Sequence, residues 1–129
     1  MKIYLYFDGS AWLWKKCGYG FYVKEEETWL TQESGVVPCL DEIATNNTAE
    51  HYACYKGLKW LLDNGYSEKE IVVRGDSTMV VKQLAGEWKC RNFRLPYVPV
   101  FIESIKLLEN FKNISFEFIP RDFNYQADE

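Results

Sequence analysis

The chain opens on an unbroken alternation. Ile3, Leu5 and Phe7 fall on one side of an extended backbone, and Tyr4, Tyr6 and Asp8 on the other. Such a run reads as a half-buried or central strand, which would deliver the Asp8 carboxylate to the end of a buried element. A turn over residues 11–16 leads to a second strand at Gly18–Val23, whose glycines tolerate a bulge or a close backbone approach. A charged turn at Lys24–Glu27 leads to a third strand at Thr28–Ser34. Three strands on short links predict an antiparallel meander. After a loop over residues 35–44 the period lengthens to that of a helix. Asn47 is a suitable N-cap and Asn64-Gly65 a suitable stop, so the helix is expected from Thr48 to Asn64. Its apolar stripe is Cys54, Gly57, Leu58, Leu61 and Leu62, and Glu50 lies on that stripe, four residues before Cys54.

The next strand repeats the design of the first. Ile71-Val72-Val73 runs into Arg74-Gly75-Asp76-Ser77, as the opening run goes into Asp8-Gly9-Ser10. A strand after a helix usually returns parallel to an earlier one through a right-handed crossover. Asp8 and Asp76 are then expected side by side at the C-terminal ends of parallel strands, where open α/β sheets hold their ligands. Ser77 or Asp76 caps a short helix, Thr78–Ala85, which stops at Gly86. Glu87–Tyr97 is irregular. Pro96 and Pro99 suit a helix start, and Val98, Phe101, Ile102, Ile105 and Leu108 space as one face to about Phe111. Ile114, Phe116 and Phe118 form a last strand closed by Pro120, and Arg121–Glu129 reads as a loop and a first helical turn capped by Asn124. The expected architecture is an α/β (α+β mixed) sheet with helices packed on it, a single domain over residues 1–129.

Composition narrows the partners. The chain has 129 residues and a net charge of −4, and no apolar run approaches the ~20 residues of a membrane span. Met1-Lys2-Ile3 opens directly into a strand, so no signal peptide is expected and the location is expected to be cytoplasmic. Cys17, Cys39, Cys54 and Cys90 lack zinc-type spacing and the chain has one histidine, which argues against a zinc site and for reduced thiols, with disulfides left open. An acidic balance weighs against nucleic acid, whose binders carry excess Lys and Arg. Lys82–Arg94 answers that locally: Lys82, Lys89, Arg91 and Arg94 stand against Glu87 alone, with Trp88 and Phe93 between them. That suits phosphate contact beside an aromatic surface. A solvated turn with core aromatics has the same composition.

Asp8, Glu50, Asp76 and Asp128 are the carboxylates placed on strand ends, an inward helix stripe or a helix start. Taken singly, Asp-Gly and Gly-Asp-Ser are turn chemistry, Glu50 closes a capping box with Asn47, and Asp128 says nothing. As a set they would repel and raise one another's pKa unless divalent cations neutralise them. Oxygen-only ligands favour Mg²⁺ or Mn²⁺, and two such ions ~4 Å apart can clamp a phosphodiester.

Tyr6-Phe7-Asp8-Gly9-Ser10, Thr45-Asn46-Asn47-Thr48-Ala49-Glu50, Gly75-Asp76-Ser77 and Arg121-Asp122-Phe123-Asn124-Tyr125-Gln126-Ala127-Asp128 together resemble the motifs of type 1 ribonuclease H, in family order and at family-like spacing. The resemblance implies a five-stranded mixed sheet with its first three strands antiparallel, and a last helix cut short. It implies metal-dependent endonucleolytic cleavage of the RNA strand of an RNA–DNA hybrid. It places metal binding on Asp8, Glu50, Asp76 and Asp128, with two Mg²⁺ ions and Mn²⁺ as substitute. It also places minor-groove contacts on Gly9, Ser10, Asn46 and Asn47, where 2′-hydroxyls distinguish a hybrid from DNA.

Some positions depart from the family. Thr78 stands where many relatives carry Gln. The long basic protrusion of some relatives is missing, so substrate contact falls to Lys89 and Arg91, and weak, salt-sensitive binding is expected. The one histidine, His51, stands beside Glu50 and not before the last Asp, where many relatives place a catalytic His; Arg121 occupies that region and is expected to touch phosphate. The short C-terminal end predicts a loosely held Asp128 and an open sheet face that a second copy would cover. Double-stranded RNA stays open as a second substrate. The alternatives are a hybrid- or duplex-binding module without turnover, and a structural domain whose acids hold no metal.

Overall fold

The computed structural model describes residues 2–12, 16–37, 46–90 and 97–121. Along the chain lie β1 (Lys2–Trp12), β2 (Lys16–Glu25), β3 (Thr28–Val36), α1 (Asn46–Asp63), β4 (Glu70–Gly75), α2 (Thr78–Leu84), α3 (Val98–Leu108) and β5 (Asn113–Phe118). Among the described residues the strands form one sheet in the order β3-β2-β1-β4-β5. β1 pairs antiparallel with β2, and β2 with β3, while β4 runs parallel to both β1 and β5. This is the expected mixed sheet with an antiparallel meander first. Residues 122–129, which hold all of the last motif except Arg121, lie outside the described residues, and so does the expected helical turn there. No helix among the described residues is long and apolar enough to cross a membrane.

The central place of β1 follows from its alternation. Ile3, Leu5 and Phe7 are fully buried, together with Val23, Ile71 and Val73 from the flanking strands and Ala53, Cys54, Leu58 and Leu61 from α1. Each large apolar side chain buried in this way contributes ~1.5–3 kcal/mol. Two glycines make room for core side chains, one between helix and sheet and one beside its neighbour within the sheet. A methyl group on Gly57 of α1 would overlap the Leu5 side chain, and one on Gly75 would overlap the Phe7 ring.

The opposite face carries the polar and aromatic half of the alternation. Gln32, Tyr22, Tyr6, Arg74 and Glu117 are register partners in one row across all five strands. Tyr6 and Tyr22 stack with centroids 4.4 Å apart. Arg74 donates to the Tyr6 hydroxyl at 2.8 Å and to Glu117 at 2.7 Å, and lies over the Tyr4 ring at 4.5 Å. The row ties β1, β4 and β5 together one pleat before Asp8 and Asp76.

Several boundaries differ from expectation. β1 continues past Ser10 to Trp12, so Asp8 lies inside a long strand and not at its end. The β2–β3 turn contracts to Glu26-Glu27, with Glu26 at φ +52°. The irregularity in the β2–β3 ladder sits at Val23/Lys24 and not at a glycine. α1 begins at Asn46, which puts Asn47 inside the first turn and removes it as the cap. Burial of Thr48 and Ala49 anchors that earlier turn on the sheet. In α3 the buried side is Val98 and Ser104, whereas Ile102 and Ile105, expected on the inner face, are 42 % and 38 % exposed. Phe101 meets His51 of α1 and Ser104 is buried, and on a helix of this pitch that leaves the two isoleucines turned outward.

Replacing a helix glycine by alanine ordinarily stabilises a helix by up to about 1 kcal/mol. At Gly57 the sign reverses, because the new methyl group meets Leu5 in a filled core. Gly57→Ala is expected to lose about 1–3 kcal/mol, read from urea unfolding midpoints.

Candidate active site

The parallel ladder between β1 and β4 ends at Phe7 opposite Gly75. The next residue on each strand is an acid, Asp8 and Asp76. β4 stops there and the chain turns at Ser77 into α2, while β1 runs on against β2 alone. Asp8 thus stands where β1 passes the end of its parallel neighbour. It is 6 % exposed, and Glu50 and Asp76 are half-buried beside it.

Glu50 arrives from the first turns of α1 through a backbone contact. A methyl group on Gly9 would overlap the carbonyl of Ala49 and crowd the nitrogen of Glu50. Only a glycine lets β1 pack directly on the helix at that point, and this brings Asp8 and Glu50 together. One carboxylate oxygen from each of Asp8, Glu50 and Asp76 lies within 4.8 Å of the others.

The electrostatics follow from that crowding. Glu50 is pushed up to about 7, first by burial and also by the charge of Asp76; a hydrogen bond from Ser77 and the charge of Arg121 pull the other way. Ser77 has two tasks. Its oxygen accepts the Val80 N–H at 3.3 Å as the cap of α2, and its hydroxyl donates to Glu50. The sequence marked Ser77 only as a cap; its link to Glu50 depends on where α1 lands.

The remaining predicted residues are distributed around this cluster. Gly9 is buried in the β1–α1 contact, and Ser10 follows it on β1 opposite Gly18. Asn46 opens α1, and Asn47 is exposed in its first turn, three residues before Glu50. Thr78 is exposed at the start of α2, two residues after Asp76. Arg121 is exposed and close enough to act on Glu50. Lys89 is exposed beyond α2, and Trp88 beside it is 49 % exposed. Lys82 pairs with Glu87 at 3.4 Å. Arg91 and Asp128 lie outside the described residues. His51 points away from the carboxylates into the core, fully buried, and burial lowers its imidazole to about 4.

Among the described residues the donor set is three carboxylates with no sulfur or imidazole, which fits a hard divalent cation. The burial that keeps a proton on Glu50 is the penalty a cation between these groups would lift.

Among the described residues, the five-stranded mixed sheet with its three helices matches the fold of solved ribonuclease H1 structures. LC11-RNase H1, solved in complex with RNA/DNA hybrid, superposes with a TM-score of 0.84 at 27 % identity, over 98 % of this chain and 91 % of that one. The reverse transcriptase-like family matches residues 32–129, and the chain belongs to that ribonuclease H-like family. It is similar to the uncharacterized protein YpeP of Bacillus subtilis, 34 % identical over 90 residues, which cover 67 % of this chain and 38 % of YpeP. It is similar to ribonuclease HI of Halobacterium salinarum, 38 % identical over 85 residues, which cover 66 % of this chain and 41 % of that protein. The chain thus spans about two fifths of the length of these two relatives.

Between pH 4.5, the ordinary value, and about 7, the folded chain keeps a proton on Glu50 that the unfolded chain has released. Stability of the metal-free protein therefore falls as pH rises through that window. Glu50→Gln is expected to be more stable than the wild type at pH 8, by about 1–2 kcal/mol because the group is partly open to solvent, and equal to it near pH 4. Thermal melts in chelator check this.

Proposed function

We propose that this chain is a metal-dependent endonuclease that hydrolyses the RNA strand of RNA–DNA hybrids and leaves 5′-phosphate products. The observation that carries the reading is the convergence of Asp8, Glu50 and Asp76, drawn from β1, α1 and the end of β4, to within 4.8 Å. In this reading Asp128 completes the set. These four carboxylates would hold two Mg²⁺ ions, or Mn²⁺ in their place, which would supply positive charge toward an attacking water and the leaving oxygen.

The chain's own groups prepare the site. Ser77 orients the Glu50 carboxylate. Gly9, Ser10, Asn46, Asn47 and Thr78 offer donors and acceptors to the minor groove, where the 2′-hydroxyls of the RNA strand lie. Lys89 and Trp88, both exposed beyond α2, are assigned to contact with the nucleic-acid backbone, and Arg91 is assigned the same role. Arg121 brings its charge to the scissile phosphate. The solved hybrid complex of LC11-RNase H1, a similar chain, supports this choice of substrate.

A labelled RNA–DNA hybrid incubated with Mg²⁺ or Mn²⁺ tests the proposal, with double-stranded RNA alongside as the second substrate. Asp76→Asn is expected to lose on the order of a thousandfold or more in rate, because several kcal/mol of transition-state charge stabilisation depends on the cation it would hold. No cleavage by the wild type in either metal would end the proposal.

Arg121→Ala is expected to lower turnover roughly ten- to a hundredfold with folding intact, the size of one charge-assisted hydrogen bond. Single-turnover rates on the same hybrid measure it, and an unchanged rate would remove Arg121 from the phosphate.

A further inference from the structure

The layer between the helices and the sheet is apolar apart from a few side chains, and three of these are joined. His51, Gln83 and Tyr97 are 0 %, 6 % and 4 % exposed. They come from α1, α2 and the residue that caps α3. His51 Nε2 lies 3.0 Å from Gln83 Oε1; an amide oxygen only accepts, so Nε2 carries the proton and donates. Gln83 Nε2 donates to the Tyr97 hydroxyl at 2.9 Å. The Tyr97 ring then stacks back on the imidazole, with centroids 4.7 Å apart and planes 8° from parallel, and Phe101 meets the imidazole edge-on at 5.6 Å. The three side chains close a loop through three helices.

A buried polar group of this kind adds little net stability over an apolar one of the same shape. What it supplies is a single permitted spacing, because a stretched or tilted hydrogen bond in the interior leaves both partners unsatisfied. The elements it spaces matter. His51 follows Glu50 directly on α1. Gln83 lies on the short helix that starts beside Asp76 and Ser77. Carboxylate oxygens of Glu50 and Asp76 lie within 4.8 Å of each other, so the spacing of α1 from the start of α2 sets their separation.

We propose that His51 is a positioning residue: its bond to Gln83, with Tyr97 as the backstop, sets the separation of Glu50 from Asp76 and so the affinity of the carboxylate cluster for divalent cations. This rests on the reading of that cluster as a metal site. It assigns His51 no contact with substrate or metal.

Calorimetric titration of Mn²⁺ into the full chain, without nucleic acid, tests it. His51→Phe keeps a ring on Tyr97 and loses the donor; its Mn²⁺ Kd is expected to rise about three- to tenfold, the size of one net hydrogen bond. His51→Gln places an amide N–H where Nε2 stands and is expected to return within about twofold of the wild type, by the same reasoning. Tyr97→Phe removes only the hydroxyl, and a smaller rise in Kd is expected; it serves also if His51→Phe does not fold. Ile71→Val, a methylene lost from the core of β4, should lower the melting temperature while leaving Mn²⁺ affinity unchanged. In cleavage assays on the hybrid, the metal concentration for half-maximal rate should rise in His51→Phe with KM unchanged. Wild-type Mn²⁺ affinity in both His51→Phe and Tyr97→Phe would overturn the proposal. So would an equal loss in Ile71→Val, or no recovery in His51→Gln. A wild-type chain that binds no Mn²⁺ would instead overturn the reading of the carboxylates themselves.

Discussion

Three carboxylates with oxygens within 4.8 Å of one another repel, and the architecture around them is arranged against that repulsion. Asp8 and Asp76 are held by a ladder of backbone hydrogen bonds, since the register of β1 on β4 ends one residue before both. Glu50 is held by direct packing of the Gly9 backbone on the first turn of α1. Ser77 lends a proton to Glu50 while anchoring its own helix. None of these supports is a charge pair. Two are steric and backbone constraints and the third is a side-chain hydrogen bond; burial first, and the charge of Asp76 after it, leave a glutamate that titrates near neutrality. A site built in this way is suited to a cation, because the scaffold has already gathered the ligands.

The two faces of the sheet divide the labour. One packs Ile3, Leu5 and Phe7 against α1 and sets where the helix axis lies. The other locks the register with hydrogen bonds and stacked rings, from Gln32 through Tyr22, Tyr6 and Arg74 to Glu117. Register error is the failure that would separate Asp8 from Asp76, since a slip of one residue turns each acid to the other face. The Arg74 row, placed one pleat before the acids, resists it. On the helix side the His51–Gln83–Tyr97 loop serves a corresponding purpose between helices.

Much of this was visible along the chain. The repeated apolar run into Asp, with a helix between the copies, led to two parallel strands carrying their acids side by side; the ladder of β1 on β4 does end one residue before both acids, although β1 itself runs on to Trp12. The placing of Glu50 four residues before Cys54 led to an acid on the inward side of α1, where it is half-buried. The misses have a common origin. Asn47 looked like a cap because a cap is a local motif, yet packing of Thr48 and Ala49 started the helix earlier. Ile102 and Ile105 looked buried because they are apolar, yet aromatic contacts of Tyr97 and Phe101 with His51 chose the rotation of α3. His51 stands away from the position of a catalytic histidine and carries no local signal, because its hydrogen bond to Gln83 spans 32 residues.

Alternation, helical period and the residues that stop them act over a few positions, so the sequence by itself determined the kinds of element, their order and which elements carry Asp8, Glu50 and Asp76. Distances between elements are set by side chains that meet only after folding. The tertiary structure alone therefore decided that Gly9 touches Ala49, that Ser77 reaches Glu50, and that a buried imidazole links α1 to α2. Those contacts turn three acids far apart in the chain into one cluster.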